Sequence, residues 1–159
     1  MEAIVAVYSD WGIGSDGTQP IVVPEDRRRF AELTRGATLI VGSKTLLDFP
    51  NSEPLKGRRN IILTRQDAAA DGAEIAHTPD EAAAMCADDE RVFVVGGATV
   101  YMSMFPSLDK IYVTKISATP RSDAYFPNLD SLPEWEQTES EPFSSGGVEC
   151  EFCTYEKVN

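Results

Sequence analysis

Histidine is nearly absent from this chain, cysteine is scarce, and basic residues are outnumbered almost two to one. There is one histidine, His77, and there are three cysteines, Cys86, Cys150 and Cys153, in 159 residues. No Ser-His-Asp constellation and no metal-ligand cluster is apparent, so no metal is expected. The odd cysteine count argues for free thiols in a reducing cytoplasm. Lysine and arginine number 14 against 26 acids, a formal net charge of -12. That balance argues against nucleic acid, whose phosphates need a basic surface. No apolar run approaches the ~20 residues of a membrane-spanning helix, so no membrane partner is expected. The opening residues show no basic leader or cleavage site and enter an apolar stretch at once, so the expected location is cytoplasmic. A chain of this length fits one domain, residues 1–159, able to close its own core. No long apolar stripe is left over, and a monomer is expected.

What the chain does hold is a strand–glycine–helix passage from Arg91 to Tyr101, RVFVVGGATVY. Val92 to Val95 form an unbroken apolar run, the pattern of a central parallel strand covered on both faces. Gly96 and Gly97 end it, and Ala98 to Phe105 reads as a helix. Two glycines let backbone come close to a ligand, and the helix start offers free N–H groups to an anion such as a pyrophosphate. A tight turn in any α/β protein explains the same stretch equally well. The basic residues are nonetheless concentrated, with four of the 14 between Lys56 and Arg65.

Taken in order, Ala3 to Tyr8 reads as a buried strand, and Ser9 to Gln19 as a polar loop long enough for a lid. Pro24 to Arg35 reads as a helix, with proline and acids in its first turn and Gly36 as its stop. Asp26, Phe30 and Leu33 are spaced four and three apart and share one face. The carboxylate either points into an apolar cleft, where ligand nitrogens could serve it, or merely complements the helix dipole. Ala37 to Val41 is a second strand, closing at Gly42-Ser43-Lys44-Thr45, a turn suited to phosphate, with a short helix to Asp48. Asn60 to Leu63 is the third strand, with Thr64 and Arg65 at its end. An alanine- and aspartate-rich connection, Gln66 to Gly72, leads to a short strand, Glu74 to Ala76. A helix from Pro79 to Cys86 follows, capped by Thr78, and His77 at the junction reads as surface structure. After the glycine passage come a strand, Lys110 to Ile116, a long loop, Ser117 to Pro133, and a hairpin of Glu134 to Glu141 and Val148 to Lys157. Strand–helix repeated four times and then three strands is an α/β domain with a largely parallel sheet and an antiparallel end. Ligands of such sheets sit at the carboxyl ends of strands, where Gly42, Thr64, Arg65, Gly96 and Gly97 fall. Cys150 and Cys153, three apart on a strand, point to opposite faces and form no pair.

Seven motifs lie in register along this order. They are Gly12-Ile13-Gly14 in the lid, Pro24-Glu25-Asp26 with Phe30, Gly42 with Thr45, and Pro54-Leu55 with Gly57-Arg58 and Asn60 to Leu63. Val95-Gly96-Gly97 with Tyr101, Tyr112-Val113-Thr114, and Asp123 with Phe126-Pro127 complete them. Together they resemble the dihydrofolate reductase family from Ile4 to Tyr155. The resemblance implies a single domain with an eight-stranded, mostly parallel sheet, an antiparallel C-terminal strand and about four flanking helices. It implies NADPH-dependent reduction of 7,8-dihydrofolate, with hydride delivered to C6 and a proton to N5, and sensitivity to antifolate inhibitors. Asp26 would accept hydrogen bonds from the pterin 2-amino group and N3, and Thr114 would donate into the same network. Phe30 and Phe49 would flank the pterin and benzoyl groups, Ile4, Val5, Ala6, Leu55 and Val95 would line the pocket, and Arg58 would fork onto a glutamate carboxylate. On the cofactor side, Ala6, Ile13 and Tyr101 would bracket the nicotinamide, with Tyr101 counted beside Asp26 and Thr114 as catalytic. Gly14, Gly42, Leu63, Val95, Gly96, Gly97, Ala98, Thr99 and Val100 would shape the rest of the cofactor groove. Ser43, Lys44 and Thr45 would meet the diphosphate, and Thr64 and Arg65 the ribose 2′-phosphate, which favours NADPH over NADH.

The chain also departs from the family. Ile21 stands where a tryptophan is usual and has no N–H to anchor a water; Trp11 lies ten residues too early to replace it. Ser43 and Thr99 stand where relatives carry arginines, leaving Arg65 and Lys44 to compensate. A riboflavin-pathway reductase of the same fold would not need Asp26 with Phe30, or Arg58. A non-catalytic dinucleotide-binding domain would not need Asp26, Thr114 and Tyr101 together.

Overall fold

The computed structural model describes residues 1–15, 18–67 and 71–158. Asp16 and Gly17 of the expected lid, and Ala68 to Ala70 of the expected connection, lie outside the described residues. The chain opens with strand β1, Glu2–Tyr8, and a short strand β2, Gly12–Gly14. Helix α1, Pro24–Thr34, leads to β3, Thr38–Gly42, and α2, Ser43–Leu47. Strands β4, Arg59–Leu63, and β5, Ala73–Ala76, precede α3, Pro79–Met85. Then come β6, Val92–Val94, α4, Ala98–Met104, and β7, Lys110–Ile116. The C-terminal part holds a short β8, Ala124–Tyr125, and the hairpin of β9, Trp135–Ser145, and β10, Val148–Lys157.

Eight strands form one sheet in the order β5-β4-β3-β6-β1-β7-β10-β9, and β2 pairs with β8 in a separate two-stranded ribbon. The pairings among β5, β4, β3, β6, β1 and β7 are parallel, while β10 runs antiparallel to both β7 and β9. The period-two alternation of strands sorts the side chains onto two covered faces. Ala3, Val5 and Val7 of β1 join Ile40, Val94, Ile111 and Val113 in a cluster with Ala82 of α3 and Val100, Tyr101 and Met104 of α4. Ile4 of the same strand joins Leu39, Val41, Phe93 and Tyr112, against which Phe30 and Leu33 of α1 pack. Truncating the fully buried Phe93 to alanine would cost about 3–5 kcal/mol.

Local signals set most boundaries. Thr78 caps α3 through its side-chain oxygen, which accepts from the Glu81 N–H at 3.0 Å. Helix α1 stops at Thr34, one residue early, and Gly36 takes φ +74 while its N–H bonds the Gly57 carbonyl. Differences from the expectation are tertiary in origin. The lid and the 117–133 connection each contribute a short strand, because Gly12–Gly14 and Ala124–Tyr125 find each other as partners. The connection also holds a 3-10 turn at Leu129–Ser131. Strand β9 extends to Ser145, continuing past Glu141 because β10 offers partners as far as Val148. Parallel neighbours β4 and β5 follow one another with no helix among the described residues between them, so the strand–helix alternation is interrupted there.

One register detail opens the site. Strand β1 pairs with β7 along seven residues, but with β6 only at Glu2↔Phe93 and Ala3↔Val94. Beyond those pairs Ile4 to Ala6 and Val95 to Gly97 separate, and both segments line a cleft at the carboxyl ends of the strands.

Candidate active site

The cleft between the parted strands has a volume of about 1160 Å³. Among its polar lining groups is Asp26, on the first turn of α1. The Thr114 hydroxyl, reaching from β7, donates to Asp26 Oδ1 at 2.5 Å. Thr114 itself is 2 % exposed, so this bond is made almost out of water. Burial raises the Asp26 carboxyl above its ordinary range; the Thr114 hydroxyl and the charges of Arg29 and Arg27 pull it back without cancelling that effect. The carboxylate therefore points into the cleft, as the helix-face reading expected, and does more than complement a dipole.

Backbone groups freed where the strands part are satisfied by side chains. The Tyr101 hydroxyl donates to the Ile4 carbonyl at 2.7 Å, and Gln19 Nε2 donates to the Ala6 carbonyl at 2.8 Å. Burial pushes the Tyr101 phenol up, with the Asp26 charge adding to it, so it stays protonated at neutral pH. Opposite, the Gly42 N–H donates to the Gly96 carbonyl at 2.8 Å, tying the ends of β3 and β6 together. The approach is close enough to favour glycine: a Cβ on Gly97 would lie 3.1 Å from Thr45 Oγ1, and one on Gly42 3.1 Å from Val100, so either neighbour would have to give by a few tenths of an ångström. The Gly96–Gly97 peptide is cis.

Of the residues expected in the site, Ile4, Val5, Ala6, Ile13, Gly14, Asp26, Phe30, Val95 and Tyr101 line this cleft. So do Gly42, Ser43, Lys44, Thr45, Leu63, Thr64, Arg65, and Gly96 to Val100. Phe49, Leu55, Arg58 and Thr114 do not; Thr114 reaches the cleft only through its bond to Asp26. Phe49 and Leu55 pack with Phe30 and Leu33 at the edge of one core cluster. Arg58 lies beside a second cavity of about 520 Å³. Its guanidinium donates to Thr34 Oγ1 at 3.1 Å and to the Lys56 and Ala31 carbonyls at 2.7 Å each. Those bonds use three of its five N–H groups and hold the fork in one orientation.

Several lining residues were not picked out from the sequence, among them Gln19, Arg27, Asp48 and Ile116. For Ile116 a signal existed, since it shares the strand face of Thr114. Gln19 gave none, because its role depends on a carbonyl thirteen residues away. His77 stands at the margin of the cleft, with Nδ1 3.0 Å from the Thr64 carbonyl. Trp11 is buried on the other face, edge-on to Tyr155. Cys150 and Cys153 belong to different clusters on opposite faces and are free.

The far arm of the cleft fits a polyanionic dinucleotide. Both α2 and α4 begin at its wall without a side-chain cap, so their first-turn N–H groups are open to a ligand. Lys44 and Arg65 line the same arm and make no ion pair among the described residues. Their charge is thus available to phosphate in a strongly acidic protein.

Comparison with known proteins agrees with this geometry. A family model described as dihydrofolate reductase matches residues 1–157. The dihydrofolate reductase of Neisseria gonorrhoeae is 35% identical over 155 residues, covering 96% of this chain and 94% of that protein. That of Bacillus subtilis is 32% identical over 160 residues, covering 98% and 94%. Among solved structures, dihydrofolate reductase from Enterococcus faecalis, in complex with NADP(H) and RAB-propyl, superposes with a TM-score of 0.89. It is 30% identical, and the match covers 99% of this chain and 96% of that one.

Proposed function

This chain belongs to the dihydrofolate reductase family, and on that premise we propose how its own residues carry the reduction of 7,8-dihydrofolate to tetrahydrofolate with NADPH. The observation that carries the reading is a half-buried carboxylate, Asp26, fixed by Thr114 at 2.5 Å in a cleft whose other arm holds Lys44 and Arg65. NADPH, when bound, supplies the hydride to C6 of the pterin.

The protein's part is binding, orientation and exclusion of water. Asp26 accepts from the pterin 2-amino group and N3, and Thr114 holds the carboxylate in the plane those donors require. Charge-assisted bonds of this kind are stronger in a dry cleft than in solvent. Phe30 packs on the pterin, and Phe49 and Leu55 continue the same apolar edge toward the benzoyl group. Arg58, already held by three bonds, presents its remaining N–H groups to the glutamate carboxylate. Tyr101 acts by position: its proton is committed to the Ile4 carbonyl, so its ring forms a wall for the nicotinamide and donates no proton. Ala6, Ile13 and Gly14 form the opposing wall, with Gln19 holding the Ala6 carbonyl. Gly96 and Gly97 admit the diphosphate close to backbone, Lys44 and Thr45 bind it, and Thr64 and Arg65 take the 2′-phosphate. Among the described residues Asp26 is the only acid side chain placed at the pterin end, and the proton for N5 comes from water.

The same reading makes the protein a cytoplasmic monomer with small-molecule partners and no nucleic acid. Supporting this are three free buried cysteines and a net charge of -12. Among the described residues no helix is long and apolar enough to cross a membrane.

The test is the fall in NADPH absorbance with purified protein and 7,8-dihydrofolate, with NADH in parallel. Consumption that requires dihydrofolate and is at least tenfold faster with NADPH is expected. If NADPH binds but is not consumed, the fold has kept its cofactor and changed its substrate.

A further inference from the structure

Helix α1 carries three consecutive arginines, and only one of them turns inward. Arg27 lines the cleft and Arg28 is exposed, whereas Arg29, three residues on from Asp26 and so its neighbour on the helix surface, is half-buried against the sheet. Its guanidinium carbon sits 4.5 Å from the ring centre of Phe152 on β10 and 5.4 Å from that of Tyr112 on β7. Nη1 is buried without a hydrogen-bond partner among the described residues. Arg29 makes no ion pair among the described residues. A half-buried cation held against rings is screened less than a surface charge.

We propose that Arg29 is a positioning residue for the reaction, a half-buried cation that acts on the substrate only through Asp26 by keeping positive charge one helical turn from that carboxylate. The inference rests on the reading of Asp26 as the pterin's partner. A carboxylate placed in an apolar cleft tends to take up a proton, and a neutral carboxyl loses the charge-assisted half of its contact with the pterin. The groups that face Asp26 are Thr114 from β7, Cys150 from β10, Tyr101 from α4, and Arg27 and Arg29 on its own helix. Those whose charge acts on Arg29 are Asp26, Tyr112 of β7, Glu141 of β9 and, from the opposite face of the sheet, Cys153 of β10. Burial keeps both thiols protonated at neutral pH, Cys153 being pushed up to about 12. The charges left to act on the ionisation of Asp26 are therefore those of Arg29 and Arg27. Arg27 is exposed and screened by solvent, which leaves Arg29 as the main influence.

The test is the pH dependence of KM for dihydrofolate at saturating NADPH in Arg29→Met, Arg29→Gln and Arg29→Lys. In Met and Gln the midpoint of the acid limb should rise by about one pH unit, which near the midpoint is roughly a tenfold higher KM. Lys should restore most of the wild-type midpoint, because it keeps the charge. A purely structural role would lower Tm and turnover at every pH and leave the midpoint in place; that result overturns the proposal. Asp26→Asn is the control: if its acid limb persists, the reading of Asp26 has failed and not the role of Arg29. Should the neutral variants fail to fold, the exposed Arg27→Gln carries the test. With Arg29 as the main influence its midpoint should stay within about 0.3 pH unit of wild type, and a rise of about one unit overturns the proposal.

Discussion

Asp26 shows a conflict between stability and function in a single side chain. Its carboxyl is raised by burial, so in the folded protein it holds its proton to higher pH than in the unfolded chain. The sign follows: the folded state loses stability as pH rises from the ordinary carboxyl value through the raised one, and the cost is fully present above it. Asp26→Asn should therefore raise Tm at neutral pH by on the order of 3 °C, a gain that disappears below about pH 4. Turnover should fall by roughly 10²–10³-fold, while NADPH affinity by fluorescence stays within about twofold. Wild-type turnover in that variant would refute the assignment. Arg65, exposed at the end of the cleft, has a simpler expectation. Arg65→Gln removes a charge-assisted contact and should weaken NADPH about 10–100-fold, with NADH little changed, as measured by Kd for each nucleotide.

At the scale of elements, the end of β6 tolerates little change. Gly96 has φ +119, a region L residues rarely adopt, and its carbonyl is tied to the Gly42 N–H. Gly96→Ala should lower Tm by on the order of 5 °C and raise the NADPH Kd at least tenfold. Gly36, also at positive φ but with nothing within 4 Å of a new Cβ, is the control. Gly36→Ala should lower Tm and leave Kd alone, which separates backbone strain from loss of the site. The elements themselves were largely legible, because apolar runs, a capping threonine and stop glycines act locally. The β2–β8 ribbon was not: neither strand has a pattern of its own, and each exists only because the other reaches it.

At the scale of the whole molecule, the net charge of -12 sets the response to salt. The β9–β10 hairpin places Glu136 directly opposite Glu156, a like-charge pair at an exposed edge. Such pairs also discourage edge-to-edge association of sheets. Raising salt from about 0.1 M to about 1 M shortens the screening length from roughly 10 Å to 3 Å and should raise Tm. Glu136→Lys should raise Tm by about 2 °C at low salt and add almost nothing at high salt. A gain that is the same in both conditions would mean that packing, not charge, is responsible.

The sequence by itself determined the kind of fold, the order of its elements and most residues of the cleft. Period-two and period-3.6 patterns choose faces, and glycines mark where backbone must come close. Tertiary structure alone decided that β1 and β6 part after Ala3↔Val94, since register belongs to two strands and is written in neither. It also decided that Gln19 serves the Ala6 carbonyl, that Arg58 is held by Thr34, Ala31 and Lys56, and that one of three adjacent arginines lies over the Phe152 ring. In a helix, neighbours in sequence point about 100° apart. Which of them meets the sheet is fixed only when the helix is docked.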